Sequence, residues 1–563
     1  MAHNNILIIN MRRFGDIYTT EHLIGSIIQN NPNTQVSMLV YKEFEHAAKT
    51  LRNVSKLFVI DRKKIISIVK NDIFSDGYAV QKLYNDLDPI REKNWDQILN
   101  YSNDKIGSFI TTHLTCKQSN SSCHGIKYKT PTCIEYPDDW SVIFNDILPC
   151  YKYTPVHFVD CYHQMLNIDW HKKTDCLDTN QEHDQVAADN LHKIRTRESH
   201  NGHQVKLVGI QLKSSCQTKD IPAESIIELI NLILDDPKLY PILLIAPLND
   251  EQQLANDINN YFDNSLITIE SDFLALTSVI KNLDIIITPD TVTKHVADLV
   301  DTPLIEISLG ASPFRKQGTY NPNSLVLTPI SSKRNYSSEQ FDDVSVCGND
   351  IYNTIQYILG HIPEKLTTLS PNISIYKPVR DALGIKYVPL IGNFDVHMEL
   401  SHIMSRYYLM SRFNIITSIN FNDFTHFEKN KIKDWLSMEK NAVTNATKKV
   451  LSTLRSLLQS QKNIRKTKEF IQTLDQLLSI CNSNSLVAIA ALSFRARIES
   501  MSGSSFTKNI KEMESLLYTF RNEIQTILNC IKHLENSIAE QEINSRLPHA
   551  TASDLKKTTR LHD

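Results

Sequence analysis

Glycine is scarce in this sequence, with 14 in 563 residues against about 7% in an average chain, which excludes collagen-like repeats and Gly-rich linkers. No run approaches 18 consecutive apolar residues, so no segment reads as a membrane-spanning helix. The ten cysteines contain no C-x-x-C pair. Their tightest cluster, Cys116 and Cys123 beside His113 and His124, lacks the usual zinc half-site and reads as a reduced-thiol loop. Scattered thiols predict a reducing compartment, hence the cytoplasm. The opening MAHNNILIIN has no basic n-region and no small-residue cleavage site, so it does not read as a secretory signal. An excess of one charge is missing too: 60 Lys and Arg face 63 Asp and Glu, net -3. No global field therefore points to nucleic acid or an anionic membrane, and no nucleic-acid partner is expected.

What the sequence does contain is alternation. ILIIN, QVSMLVY and KLFVID are continuous apolar runs separated by amphipathic stretches, and WDQILNYS supplies a further strand. Strands without in/out alternation predict a parallel sheet covered on both faces. A second series opens near residue 205 with VKLVGIQL and continues through YPILLIAP, LITIES, DIIITPD and TPLIEISLG, with helices between them. The fold class is therefore α/β, two Rossmann-like doubly wound domains facing a cleft, followed by a mostly helical region. The expected divisions are 1–175, 176–361, a mixed connecting segment 362–424, a helical or coiled-coil region 425–547 and a loose tail 548–563. In the helical region Met513, Leu517, Phe520, Ile524, Ile527, Ile531, Leu534 and Ile538 keep a 4,3 spacing. That stripe reads either as the core of a small bundle or as a homo-oligomer seam.

Chemistry is expected where strands end, because doubly wound sheets bind ligands at the carboxyl ends of their strands. After the first strand, RRFGDIYTT puts Asp16 beside Gly15 at a helix start. A carboxylate there accepts a proton from a bound hydroxyl, or merely caps its helix. After VKLVGIQL, the loop KSSCQTKDIP offers Ser214, Ser215 and Lys219 to a phosphate. Glu251 opens the helix after LLIAPLND, placed for ribose hydroxyls or for pairing with the helix dipole. Finally, ITPDTVTKHVADL sets Asp290, Thr291 and His295 at a second helix start. The D-L-D run at Asp86–Asp88 resembles an acidic metal motif but precedes Pro89 in a helix-ending context, so no metal site is expected.

The ordered patterns R-x-x-G-D-x-x-x-T, from Arg12 to Thr20, then K-x-x-P from Lys219, then D-T-x-x-x-H-x-A from Asp290, resemble the heptosyltransferases of glycosyltransferase family 9 over roughly residues 5–361. The resemblance implies GT-B architecture and inverting, metal-independent transfer of a heptose or related sugar. It implies no cofactor, the nucleotide sugar, ADP-heptose, being a substrate. Asp16 then matches the catalytic base and Lys219 the phosphate-binding lysine. Ser214 and Ser215 match the hydroxyl pair beside the diphosphate, Glu251 the ribose acid, and Asp290, Thr291 and His295 the diphosphate segment. Arg12, Arg13, Gly15 and Thr20 fall on the acceptor side. Val292 stands where the family has glycine, which places a β-carbon against the donor.

A glycan or glycolipid acceptor such as lipopolysaccharide core follows from the resemblance, and with it a location at the inner face of a bacterial inner membrane. Two further readings remain open. One is a protein acceptor gripped by the helical extension; the other is a catalytically weak scaffold. The Lys/Arg-rich tract from Thr425 to Phe470 reads as a solvated helix face or as a peripheral contact with anionic lipid or glycan.

Overall fold

A computed structural model describes residues 4–70, 75–116, 121–131, 133–150, 153–172, 176–199, 204–309, 313–330, 346–361, 369–416, 419–501, 503 and 505–546. The tail expected at 548–563 lies outside them. The chain divides into two compact units, one of residues 1–395 with 496–503 and one of 396–495 with 504–563.

The first unit contains both expected sheets. β1 (Asn4–Ile9), β2 (Thr34–Tyr41), β3 (Lys56–Ile60), β4 (Gln97–Asn100) and β5 (Ser122–His124) run parallel in the order β3-β2-β1-β4-β5. A short antiparallel pair, β6 (Lys127–Thr130) and β7 (Cys133–Glu135), lies outside that sheet. The second sheet takes β8 (Lys206–Gln211), β9 (Leu239–Ile245), β10 (Ile267–Glu270), β11 (Ile285–Pro289), β12 (Leu304–Ile307) and β13 (Leu325–Pro329), all parallel. The order β10-β9-β8-β11-β12-β13 places the strand-order reversal beside β8 and β11. β1 is the matching point of the first sheet. The helix start after β1 and the loops after β8 and β11 carry Asp16, Lys219 and Asp290, so topology gathers them.

Part of the segment 362–424 is not a connection. β14 (Ile373–Asp381) and β15 (Gly384–Gly392) form an antiparallel hairpin that extends the second sheet beyond β13. Its turn is fixed by Gly384, at φ +104°, where an added Cβ would fall 2.0 Å from the Asp160 carboxyl carbon. Asp160, from the helix Phe158–Leu166, accepts hydrogen bonds from Ile385 N at 2.8 Å and from the Tyr320 hydroxyl. Arg380 closes on it at 3.3 Å. A buried acid thus ties the first sheet's last helix to the second sheet's added hairpin.

The second unit is helical: Val396–Arg412, Lys429–Lys462, Thr467–Leu478, most of Val487–Glu499, and Phe506–Arg546. All eight apolar residues of the 4,3 stripe on the last helix are at most 7% exposed. Phe520 stacks on Phe494 with centroids 5.0 Å apart. The stripe is buried within its own chain as bundle core.

Candidate active site

The turn after β1 is built by its own hydrogen bonds. Helix Phe14–Asn30 begins after Arg13, whose N–H donates to Asp16 Oδ2 at 3.3 Å, so Asp16 closes the first turn as a cap. Its backbone carbonyl accepts from Asn10 Nδ2 at 2.9 Å and Thr20 Oγ1 at 2.7 Å. Thr20 is fully buried in this junction, its hydroxyl also taken by Asn10. The acceptor-side place expected for it is a structural one instead. Arg12 and Arg13 are exposed, and Arg12 Nε donates to the Ser102 carbonyl.

Helix Phe14–Asn30 meets helix Val292–Leu299 across the two sheets. A Cβ on Gly15 would stand 2.8 Å from His295 Cδ2, so glycine is what lets the two first turns approach. Phe14 packs at a tilt against Phe273 of the second domain, 4.5 Å between centroids. Asp16 is half-buried in this junction. Burial raises its carboxyl above the usual aspartate range. The Arg12 guanidinium and the Arg13 N–H oppose that rise, Asp290 adds to it and Lys316 opposes it.

The other aspartate is surrounded by cations and donors. Lys219 Nζ lies 2.9 Å from Asp290 Oδ2, and Lys294 Nζ lies 2.6 Å from Oδ1. Gln317 Nε2 donates to Oδ2 at 3.1 Å. Although burial works the other way, Lys294 and Lys219 hold Asp290 well below the usual carboxylate range. Lys294 is fully buried and also reaches Glu306 Oε1 at 3.2 Å and the Gln317 carbonyl at 2.9 Å. Glu306 in turn accepts from Thr319 N at 2.6 Å. His295 is held well below its ordinary value by burial and by Lys294, so its imidazole is neutral.

The remaining residues divide. Ser214 is committed to Asp220, whose Oδ1 accepts from both its N–H and its hydroxyl at 2.7 Å. Ser215 is exposed on the same loop. Lys219 ends a single 3-10 turn, Gln217–Lys219, and Pro222 is the N-cap of the following helix. Glu251 binds Ala246 N at 2.8 Å and Gln211 Nε2 at 3.3 Å, and burial raises its carboxyl. Gln211 relays this to Thr293 Oγ1 at 2.7 Å. Thr291 precedes helix Val292–Leu299 and pairs with Thr288 Oγ1 at 2.9 Å; Val292 is the first helical residue and half-buried.

Asp16, Gly15, Lys219, Asp290 and His295 therefore converge, while Ser214, Glu251 and Thr20 are occupied by local structure. Sequence reasoning missed Lys294, Glu306, Gln317 and Lys316. A lysine four residues after Asp290, across a helix start, was a readable signal, as was the lone acid in the apolar strand LIEI.

The acidic run of Asp86 and Asp88 lies in helix Ser75–Arg91, with Pro89 inside its last turn, and pairs with Lys82 and Arg91 of that helix. Among the described residues no group of three His, Cys, Asp or Glu side chains converges on a metal-sized site, and no helix is long and apolar enough to cross a membrane.

A family model, glycosyltransferase family 9 (heptosyltransferase), matches residues 90–343. No curated protein matches the chain. Among solved structures, a glycosyl transferase family 9 protein from Veillonella parvula DSM 2008 is 12% identical, with a TM-score of 0.45, covering 64% of this chain and 98% of its own. The E. coli heptosyltransferase WaaC with ADP is 14% identical, with a TM-score of 0.43, covering 63% and 99%. E. coli ADP-heptose lps heptosyltransferase II is 12% identical, with a TM-score of 0.42, covering 63% and 98%. Residues 90–343, which run from β4 of the first doubly wound sheet through β13 of the second, are a glycosyltransferase family 9 domain, and the chain is a glycosyltransferase.

Proposed function

We propose that this protein transfers a heptose, or a related sugar, from a nucleotide diphosphate sugar such as ADP-heptose to a hydroxyl of a glycan such as lipopolysaccharide core, with inversion and without a metal in the chemical step. The observation that carries the reading is the opposition of Asp16, a carboxyl whose basicity is raised, to a cation cluster on Asp290. The acceptor oxygen attacks the anomeric carbon as Asp16 takes its proton, and the bond from that carbon to the diphosphate oxygen breaks. Proton removal of this kind contributes about 10²–10⁴ in rate.

The leaving diphosphate gains negative charge and needs stabilisation. Lys219 supplies it by turning from Asp290 to the phosphate. Lys294 and Gln317 stay on Asp290, so the buried carboxylate is never left bare. Neutral His295 and the start of helix Val292–Leu299 add N–H donors without adding charge.

The test is calorimetric titration with ADP, ADP-heptose, UDP and GDP in the presence of a chelator, followed by transfer assays on a core oligosaccharide. Adenine ligands binding alone, with turnover lost in Asp16→Asn, supports the reading. Absence of binding to every nucleotide overturns it, and transfer to a polypeptide in place of the oligosaccharide would reassign the acceptor.

A further inference from the structure

The helical unit carries a charge pattern unlike the rest of the chain. From Lys440 to Lys468 there are eight Lys and Arg and no Asp or Glu, in a protein of net charge -3. Three of these cations, Lys448, Arg455 and Lys462, lie seven residues apart on helix Lys429–Lys462 and are exposed. Between them stand Leu451 and Leu458, exposed at 39% and 41%. At about 3.6 residues per turn, all five fall within an arc of about 80°.

The helix's opposite face is occupied. Val443, Ala446, Val450 and Leu457 are buried. Thr453 and Ser456 hydrogen-bond to Thr473 of the next helix, Thr467–Leu478, at 3.2 and 2.6 Å. The exposed stripe is thus a fixed outer face, its backbone ordered before any partner arrives. Beyond the turn, Arg465 and Lys468 are exposed as well, with Ile471 at 51%.

We propose that this hairpin of helices is a docking face for an anionic phospholipid bilayer. Charge complementarity selects the partner's sign, and the leucines select its kind. Lys and Arg reach lipid phosphates with their long stems along the surface, while Leu451 and Leu458 enter the boundary between headgroups and acyl chains. A groove for single-stranded nucleic acid would carry aromatic stacking platforms among its cations, and the stripe has none. This inference is independent of the sugar-transfer reading, because it uses no residue of the candidate active site.

The test is sedimentation of the full-length protein with sucrose-loaded phosphatidylglycerol/phosphatidylcholine vesicles and with phosphatidylcholine alone, at low and high salt. Binding is expected only to the anionic vesicles, weakening with salt. Lys448→Glu/Arg455→Glu/Lys462→Glu should weaken partitioning by at least about a hundredfold, about fivefold per cation lost. Leu451→Ser/Leu458→Ser should weaken it by about tenfold at unchanged salt dependence. Circular dichroism and ADP titration should not distinguish either variant from wild type. Equal partitioning of wild type and the charge-reversed variant overturns the proposal. So does binding that ignores the leucine change while single-stranded DNA competes equally well, which would mark a general polyanion surface.

Discussion

Two strand-to-helix turns face each other in this protein, and each presents an aspartate with the opposite electrostatic history. Asp16, after β1, has one backbone N–H within hydrogen-bond range and cations only at longer reach, so burial wins and its carboxyl is raised. Asp290, after β11, has two ammonium groups and an amide on its two oxygens, so attraction wins over burial and its carboxyl is depressed. Partner count, not depth, decides the outcome. The poorly partnered acid is suited to accept a proton, the richly partnered one to stay charged and hold lysines in place.

The strongest way to break that contrast is Asp290→Asn. It leaves the buried Lys294 with Glu306 as its remaining acid. Removing one partner from a buried ion pair costs about 3–5 kcal/mol, so the denaturation midpoint should drop sharply. An unchanged midpoint would show that Glu306 alone suffices. In wild type, the stability due to the depressed Asp290 is present above the unfolded aspartate value and is lost only as pH falls through its lower folded value.

Asp16→Asn should act on rate and leave folding intact, with kcat falling by about 10²–10⁴. In wild type, turnover should fall as pH drops through a value above the usual aspartate range, and the residual activity of the variant should lack that limb. Because the folded state holds this proton more tightly than the unfolded state, stability falls as pH rises from the unfolded aspartate value to the raised one. The variant's melting temperature should therefore equal wild type in acid and exceed it near neutrality. A variant less stable at every pH would assign Asp16 to capping alone.

Lys219→Ala sharpens the contrast from the other side. Loss of one charge-assisted contact, about 1.5–3 kcal/mol, should weaken ADP by about tenfold to a hundredfold in calorimetry, while Lys294 keeps the fold intact. Collapse of the fold instead would mean that both lysines are structural.

The smallest effect on turnover is expected from Glu439→Gln in the helical unit. Burial pushes this carboxyl up to about 7, although it accepts from Ser485 Oγ at 2.8 Å and Leu486 N at 3.0 Å. The folded state keeps it neutral up to that value while the unfolded chain ionises from 4.5, so its cost to stability builds between pH 4.5 and about 7 and is complete above. The variant should gain about 3 kcal/mol in alkaline solution, nothing at pH about 3, and leave kcat unchanged. A raised carboxyl is then seen to be no mark of catalysis by itself.

Much of the fold was legible in the sequence because parallel strands buried on both faces read as unbroken apolar runs. The hairpin of β14 and β15 was not. Pro378 and Pro389 sit inside its strands, and proline argues against a strand except near a sheet edge, which is where these lie. The aspartates and Lys219 were readable because chemistry gathers at strand ends. The Lys219–Asp290 contact was not, since it joins residues 71 positions apart by a geometry that only folding supplies. Thr20 shows the reverse limit: a residue can match a pattern while its hydroxyl is spent on Asn10 and the Asp16 carbonyl.

Residues 496–503 return to the first unit after a hundred residues of the second. There Ala496 completes a small core with Ile126, Tyr136 and Val142, Arg497 pairs with Asp139, and the Cys133 thiol bonds to the Glu499 and Met501 carbonyls. For the gene this makes the helices between 396 and 495 an insertion and not a suffix. A stop codon after 395 withdraws a patch from the transferase's own first domain, whereas an in-frame deletion joining 395 to 496 retains it.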